Sequence, residues 1–206
     1  DHIDWLRQRG SSGSESYWRQ LLKGFTAPIA LDTILKTGVV DDGGGRRGER
    51  ELQLTESMTS LLNASAKRHN LTLNTLVQGA WALLLSRYAG TDDVVFGAVR
   101  ACRQSTVKGA GSIVGLFLNT LPVRVRIASD QNLVSWLGEL REQNVAVRDH
   151  EQTPVSHVAA WSDVPRGTPL FDTIVVFDHA QLNTRLRERG GSWLNREFRV
   201  IEDPAF

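Results

Sequence analysis

Cysteine is almost missing from this chain: there is one, Cys102, in 206 residues. A lone thiol excludes an intramolecular disulfide framework and any cysteine-rich zinc site. No apolar run reaches the roughly eighteen residues that a transmembrane helix needs, so no membrane partner is expected. Charge of one sign is missing too, since 24 Lys and Arg face 23 Asp and Glu for a net charge of +1. That balance argues against nucleic acid as a partner. Arg185, Arg187 and Arg189 are locally dense, but Glu188 interrupts them, and a solvated helix face is the reading. The opening stretch DHIDWLRQRG is neither a signal peptide nor a transit peptide. It carries no Met and starts inside a helix-like pattern, so a longer parent is expected.

The familiar catalytic signatures are missing as well. No Gly-x-Ser-x-Gly elbow occurs. Gly43-Gly44-Gly45 has no strand before it and no Gly-Lys-Ser/Thr after it, which makes it a surface loop rather than a phosphate cradle. His150 and His157 do not have the His-Glu-x-x-His zinc spacing, although Glu151 follows His150, and no metal site is expected. His2 and His69 fall at helix positions, and His179 follows a predicted strand beside Asp178. Cys102 lies between Arg100 and Arg103, cations able to lower a thiol pKa. No base accompanies it, so the residues alone assemble no catalytic set.

What is present is an ordinary globular composition, 41% hydrophobic and 23% charged. Ile3, Trp5 and Leu6 suggest a short amphipathic helix. Ser12 and Glu15 form a capping-box pattern for a helix carrying Tyr17, Trp18, Leu21 and Leu22, with Gly24 as its stop. RELQLT, residues 50–55, alternates like a strand, and Thr55 caps a helix over 56–69. The strongest helix follows, capped by Thr72 and ended by Gly90. Leu76, Val77, Ala80, Trp81, Leu84, Leu85 and Tyr88 form its apolar stripe, which reads as core. DDVVFGAVR reads as a strand, and Asn132 or Asp130 caps a helix through Leu133, Trp136, Leu137, Leu140 and Val147. TPVSHVAAW suggests a short helix with Pro154 at its first position. FDTIVVFDHA and NREFRVIED are further strands. Helices and strands alternate without a repeat, which predicts an α/β or α+β layered fold.

One segment resists a purely structural reading. VGLFLNTLPVRV, residues 114–125, is a buried strand by composition, yet Asn119-Thr120 interrupts the apolar run. A buried amide without partners costs about 1–3 kcal/mol, so Asn119 needs a partner, in backbone or in substrate.

Four collinear segments give the chain a resemblance. SYWRQLLKG, TLNTLVQGAWALLLSRYAGTDDVVFG, VGLFLNTLPVRV and HEQTPVSHVAAWSDVPRGTPLFDTIVVFDH resemble the condensation domains of nonribosomal peptide synthetases. The third resembles the family's Ile/Val-Gly-x-Phe-Val-Asn-Thr motif, and the fourth contains its Pro-Leu-Phe-Asp. The resemblance implies a chloramphenicol acetyltransferase-like fold, with residues 1–206 as the C-terminal subdomain of a V-shaped pseudodimer, incomplete at both ends. It implies that this half walls a tunnel, in which an acceptor amine attacks a donor thioester and a peptide bond forms. Substrates would arrive on the phosphopantetheine of peptidyl or acyl carrier proteins, with no cofactor bound directly. The upstream N-terminal subdomain and an adenylation domain would be further partners, in the cytoplasm.

The family's His-His-x-x-x-Asp-Gly does not occur here, so no catalytic residue is expected in this chain and the fragment alone should be inactive. Asn119, Thr120, Gly115 and Arg103 are the substrate-binding residues the resemblance implies, Asn119 as an amide donor to substrate or oxyanion. Arg124 reads as a surface strand residue, with a tunnel mouth as its other possibility. Ala101-Cys102-Arg103 stands where the family often shows Ser-Gly-Arg. A non-catalytic docking module, or an epimerisation, cyclisation or ester-forming relative, is the alternative. A half that packs on a sister is also expected to expose an apolar face.

Overall fold

The computed structural model describes residues 12–31, 50–102 and 117–177. The chain divides into residues 1–176 and 177–206, and the elements below belong to the first unit. The expected helix over 1–9 and strand NREFRVIED lie outside the described residues.

Local signals place the helices. Helix α1, Ser12–Leu22, carries an exposed Arg19–Glu15 pair at 2.8 Å and ends where Gly24 takes φ +77°. Left-handed backbone is cheap for glycine, so the chain turns there. Thr55 accepts from the Met58 N–H and starts helix α2, Glu56–Arg68. Thr72 does the same for helix α3, Leu73–Ala89, through Thr75, and Gly90 closes it at φ +63°. Asn132 caps helix α4, Leu133–Ala146, which continues into a 3-10 turn, Val147–His150. Pro154 is the cap of helix α5, Val155–Ala160, one position earlier than predicted.

Strand β1, Asp93–Ala101, pairs antiparallel with β2, Leu118–Arg126, in a register running from Asp93 opposite Arg126 to Ala101 opposite Leu118. The predicted FDTIVVFDHA strand is reduced to β3, Ile174–Val175, parallel to β1, and its last three residues lie outside the described ones. The order is β2-β1-β3.

Helices cover both faces of this sheet. Val94, Phe96 and Ala98, two residues apart on β1, pack with Ala82 and Leu85 of α3 and with Trp136, Leu137 and Leu140 of α4. Val95, out of phase with them, packs with Trp18 and Leu22 of α1, Val147 of the 3-10 turn and Val158 of α5. Gly97 lets the Phe171 ring lie on β1, since a Cβ there would meet ring atoms at 2.5–3.0 Å. Side chains of α4 close the outer edge of β2: Trp136 Nε1 donates to Arg126 O at 2.8 Å and Gln143 Nε2 to Arg124 O at 2.7 Å. Among the described residues β2 is an edge strand, and these two bonds occupy carbonyls that a foreign strand would need.

Three expectations are corrected. RELQLT is not a strand: residues 50–55 pair with no strand among the described residues, and Leu52 is 86% exposed. Alternation shows which side chains share a face but cannot supply a neighbouring strand. The α3 stripe is also turned. Its buried residues are Thr75, Gln78, Gly79, Ala82, Leu85 and Ser86, whereas Val77, Ala80, Leu84 and Tyr88 are exposed. Gly79 allows Leu137 and Trp136 of α4 to close in, and Gln78 accepts a hydrogen bond from Asn144 at 2.8 Å. Helix contact and a polar bond outweigh side-chain hydrophobicity here. Arg124, finally, is not a surface residue but is buried, for reasons given below.

Candidate functional site

Two of the sequence-derived residues, Asn119 and Thr120, lie at the end of the β1–β2 pair where β1 finishes and β2 begins. Arg100 stands opposite Asn119, Val99 opposite Thr120, and the Cys102 N–H donates to Phe117 O at 2.7 Å. Arg103 and Gly115, the other two expected substrate-binding residues, lie outside the described residues.

Segment 147–153 is bolted across this end. Val147 anchors it in the second core, and the Thr153 N–H donates to His150 O at 3.0 Å. Asn119 Nδ2 donates to two backbone carbonyls of the segment, Glu151 O and Thr153 O, each at 2.8 Å. Cys102 Sγ also donates to Glu151 O at 3.4 Å, and Gln152 Nε2 returns a bond to Cys102 O at 3.0 Å. The partner that Asn119 requires is therefore backbone, as far as its nitrogen is concerned. Thr120 beside it is half-buried.

A polar layer surrounds this bolt. Arg100 Nη2 donates to Asn144 Oδ1 at 2.6 Å and to Asn144 O at 3.0 Å, so β1, α4 and Gln78 of α3 share one network. Burial lowers the Arg100 pKa, while the buried Glu151 and then Tyr17 push it back up. Burial drives Tyr17 up to about 12, and Arg100 opposes the rise. The Tyr17 ring stacks on His150, with centroids 4.2 Å apart and planes at 17°, and Ser14 Oγ lies 3.1 Å from His150 Nδ1. His150 thus serves as a packing and hydrogen-bonding surface for α1. His157 contacts Trp161 instead, at 5.6 Å.

Cys102 is not an activated thiol. It is 2% exposed, and burial first, then Glu151, raise its pKa to about 11 against the pull of Arg100. Adjacent arginines in sequence suggested the reverse, but Arg100 turns to Asn144 and burial dominates. Among the described residues no group of three or more His, Cys, Asp or Glu could hold a metal. His179 and Asp178 lie outside the described residues.

The sequence did not reveal the residues that hold this end together. Glu151 and Thr153 act through backbone carbonyls, Gln152 through its side-chain amide, and Arg100, Asn144 and Gln78 are distant in sequence. Only the alternation of β1, with Arg100 in phase with Val94, Phe96 and Ala98, hinted that an arginine turned inward.

Residues 1–196 match the family model described as Condensation domain. A linear gramicidin synthase polypeptide of Brevibacillus parabrevis is 41% identical over 181 residues, covering 87% of this chain and 4% of that protein. Surfactin synthase subunit 3 of Bacillus subtilis (strain 168) is 31% identical over 188 residues, covering 91% of this chain and 14% of that protein. The first condensation domain of the calcium-dependent antibiotic synthetase, solved with substrate analogue 3a, superposes with a TM-score of 0.64 at 19% identity. The match covers 86% of this chain and 38% of that one. The X-domain from teicoplanin biosynthesis gives 0.62 at 21% identity over 84% of this chain and 38% of its own. These likenesses show the expected layered α/β fold, like chloramphenicol acetyltransferase. The chain spans a small part of its curated relatives and about two-fifths of the solved chains.

Proposed function

The chain belongs to the condensation-domain family, and on that premise we propose that it is the C-terminal subdomain of a peptide-bond-forming condensation domain in a nonribosomal peptide synthetase. The observation that carries this reading is the family match across residues 1–196, together with relatives that are peptide synthases. The amine of an acceptor aminoacyl thioester attacks the donor acyl thioester, a C–N bond forms, and the C–S bond breaks to release the donor's thiol. Both substrates ride on phosphopantetheine arms of carrier proteins, and an adenylation domain of the assembly line loads them.

This chain's part in that reaction is architectural. It supplies one wall of the tunnel, with Asn119 and Thr120 at the start of β2 and Gly115 and Arg103 between the two strands in sequence. The proton-transferring histidines come from an upstream subdomain, since the chain has five histidines and no two are adjacent. The fragment alone is therefore inactive. A cytoplasmic setting fits, and among the described residues no helix is long and apolar enough to cross a membrane.

The test is single-turnover product formation by the parent polypeptide, with a donor-loaded carrier and an acceptor thioester, read by mass spectrometry. A dipeptidyl thioester is expected. Intact loaded carriers with no new amide would instead favour a docking module of the same fold.

A further inference from the structure

Asn119 offers four hydrogen-bonding possibilities: two N–H groups on Nδ2 and two lone pairs on Oδ1. Nδ2 faces Glu151 O and Thr153 O, each at 2.8 Å. Carbonyl oxygens cannot donate, so the orientation of the amide is fixed by chemistry, because only nitrogen can face two carbonyls. Both N–H groups are thereby committed to the 151–153 segment. The side chain keeps no donor for a substrate carbonyl or a tetrahedral oxyanion. Its remaining polar atom is Oδ1, which accepts no hydrogen bond among the described residues and is not sealed in the interior.

We propose that Asn119 reads an N–H group of the acceptor substrate through Oδ1, rather than stabilising developing negative charge through Nδ2. The proposal rests on the condensation reading above and reverses the donor role that the motif first suggested. A carbonyl oxygen beside an oxyanion is repelled by it, whereas beside an N–H it is complementary. The two backbone bonds hold the amide in place, so little rotamer entropy is lost when a ligand pairs with Oδ1.

An acceptor thioester brings two such groups: its attacking amine and the nearest amide of its carrier arm. A neutral primary amine carries two N–H bonds. One proton leaves to the general base as the C–N bond forms, and the other can point at Oδ1 and aim the lone pair. The arm amide keeps its N–H throughout and would fix the thioester's depth.

The experiment uses the intact parent enzyme, a donor-loaded carrier and three soluble acceptors. The reference is an aminoacyl S-(2-acetamidoethyl) thioester. The second replaces the arm amide by an ester, as an S-(2-acetoxyethyl) thioester. The third keeps the amide arm but carries an N-methylamino group, which has one N–H and must yield it to the base. Values of kcat/KM are compared for wild type and Asn119→Ala, with Asn119→Ser as the replacement if circular dichroism shows that the alanine variant does not fold.

Wild type should lose roughly three- to tenfold on the acceptor that lacks the recognised N–H, the worth of one neutral hydrogen bond. The variant should be slower on the reference and should not discriminate further. A loss on the ester assigns the arm, and a loss on the N-methylamine assigns the nucleophile. A purely structural Asn119 would slow all three acceptors alike. Equal wild-type rates on all three, or the same discrimination persisting in the variant, overturns the proposal. Absence of product from every acceptor would instead overturn the condensation reading itself.

Discussion

Arg124 grips Asp93 with two bonds, Nε to Oδ1 at 2.9 Å and Nη2 to Oδ2 at 2.5 Å. Arg124 stands opposite Val95, so the pair reaches diagonally across the two strands. Its Nη1 continues to Leu21 O at 3.0 Å and Lys23 O at 2.7 Å, carbonyls at the end of α1 that have no partner within the helix. The Phe25 ring lies 5.5 Å from the guanidinium carbon. One side chain thus joins the sheet to the helix that carries Trp18 and Tyr17.

Arg124→Met should be among the most damaging single changes in the chain. Removing one partner of a buried pair costs about 3–5 kcal/mol, and two carbonyls lose their donor as well. Arg124→Lys keeps the charge but not the planar fork, and should still be destabilising. Urea midpoints of the protein and both variants check the order Met below Lys below wild type. A neutral Arg124→Met would show that the clamp does not stabilise the fold.

The fold should weaken in alkali. Burial raises Cys102 from 9.0 to about 11 and Tyr17 from 10.0 to about 12, so folding favours their neutral forms. Their contribution is complete below the unfolded values and is lost as pH rises through the folded ones. Stability should therefore decline between about pH 9 and about pH 12, and Cys102→Ala should flatten the first part of that decline. Urea midpoints across this range provide the measurement, and a level profile in wild type would contradict the burial of both groups.

Native Cys102 should resist alkylation. With its pKa raised from 9.0 to about 11, its thiolate is about a hundredfold scarcer at neutral pH, and the side chain is 2% exposed. Iodoacetamide labelling should be slow in buffer and fast in denaturant. Rapid labelling of the native chain would show an open hairpin end.

Gly97→Ala should shift Phe171 and loosen β3, because the added methyl meets the ring on a central strand. Overpacking of this kind costs typically about 1–3 kcal/mol. Phe171→Leu combined with Gly97→Ala should recover part of the loss, which thermal unfolding of the two variants can resolve.

An apolar stripe remains uncovered on α3. Val77, Leu84 and Tyr88 recur on one helix face at 41%, 45% and 55% exposure, and Leu61 of α2 is 66% exposed. The isolated chain should self-associate, and Leu61→Glu with Leu84→Lys should lower its apparent mass in light scattering. A monomeric wild type at high concentration would count against a partner-facing surface.

Legibility in the sequence followed the range of each interaction. Caps at Thr55, Thr72 and Asn132, and stops at Gly24 and Gly90, act within a few residues of themselves, so the sequence placed most helix ends. Strands β1 and β2 were readable from composition and alternation, and the family from four collinear motifs. Composition and motif order by themselves determined the fold class and the family to which the chain belongs.

Only the tertiary structure decided which faces are buried and which atoms of the key residues remain available. The α3 stripe turned because Gly79 and Gln78 meet α4, a contact some sixty residues distant in sequence. Arg124 became buried because Asp93 and the end of α1 converge on it. Asn119 lost its donor capacity to two carbonyls more than thirty residues away. A polar side chain's chemistry depends on which of its hydrogen bonds are already made, and those partners are set by long-range packing rather than by neighbours in the chain.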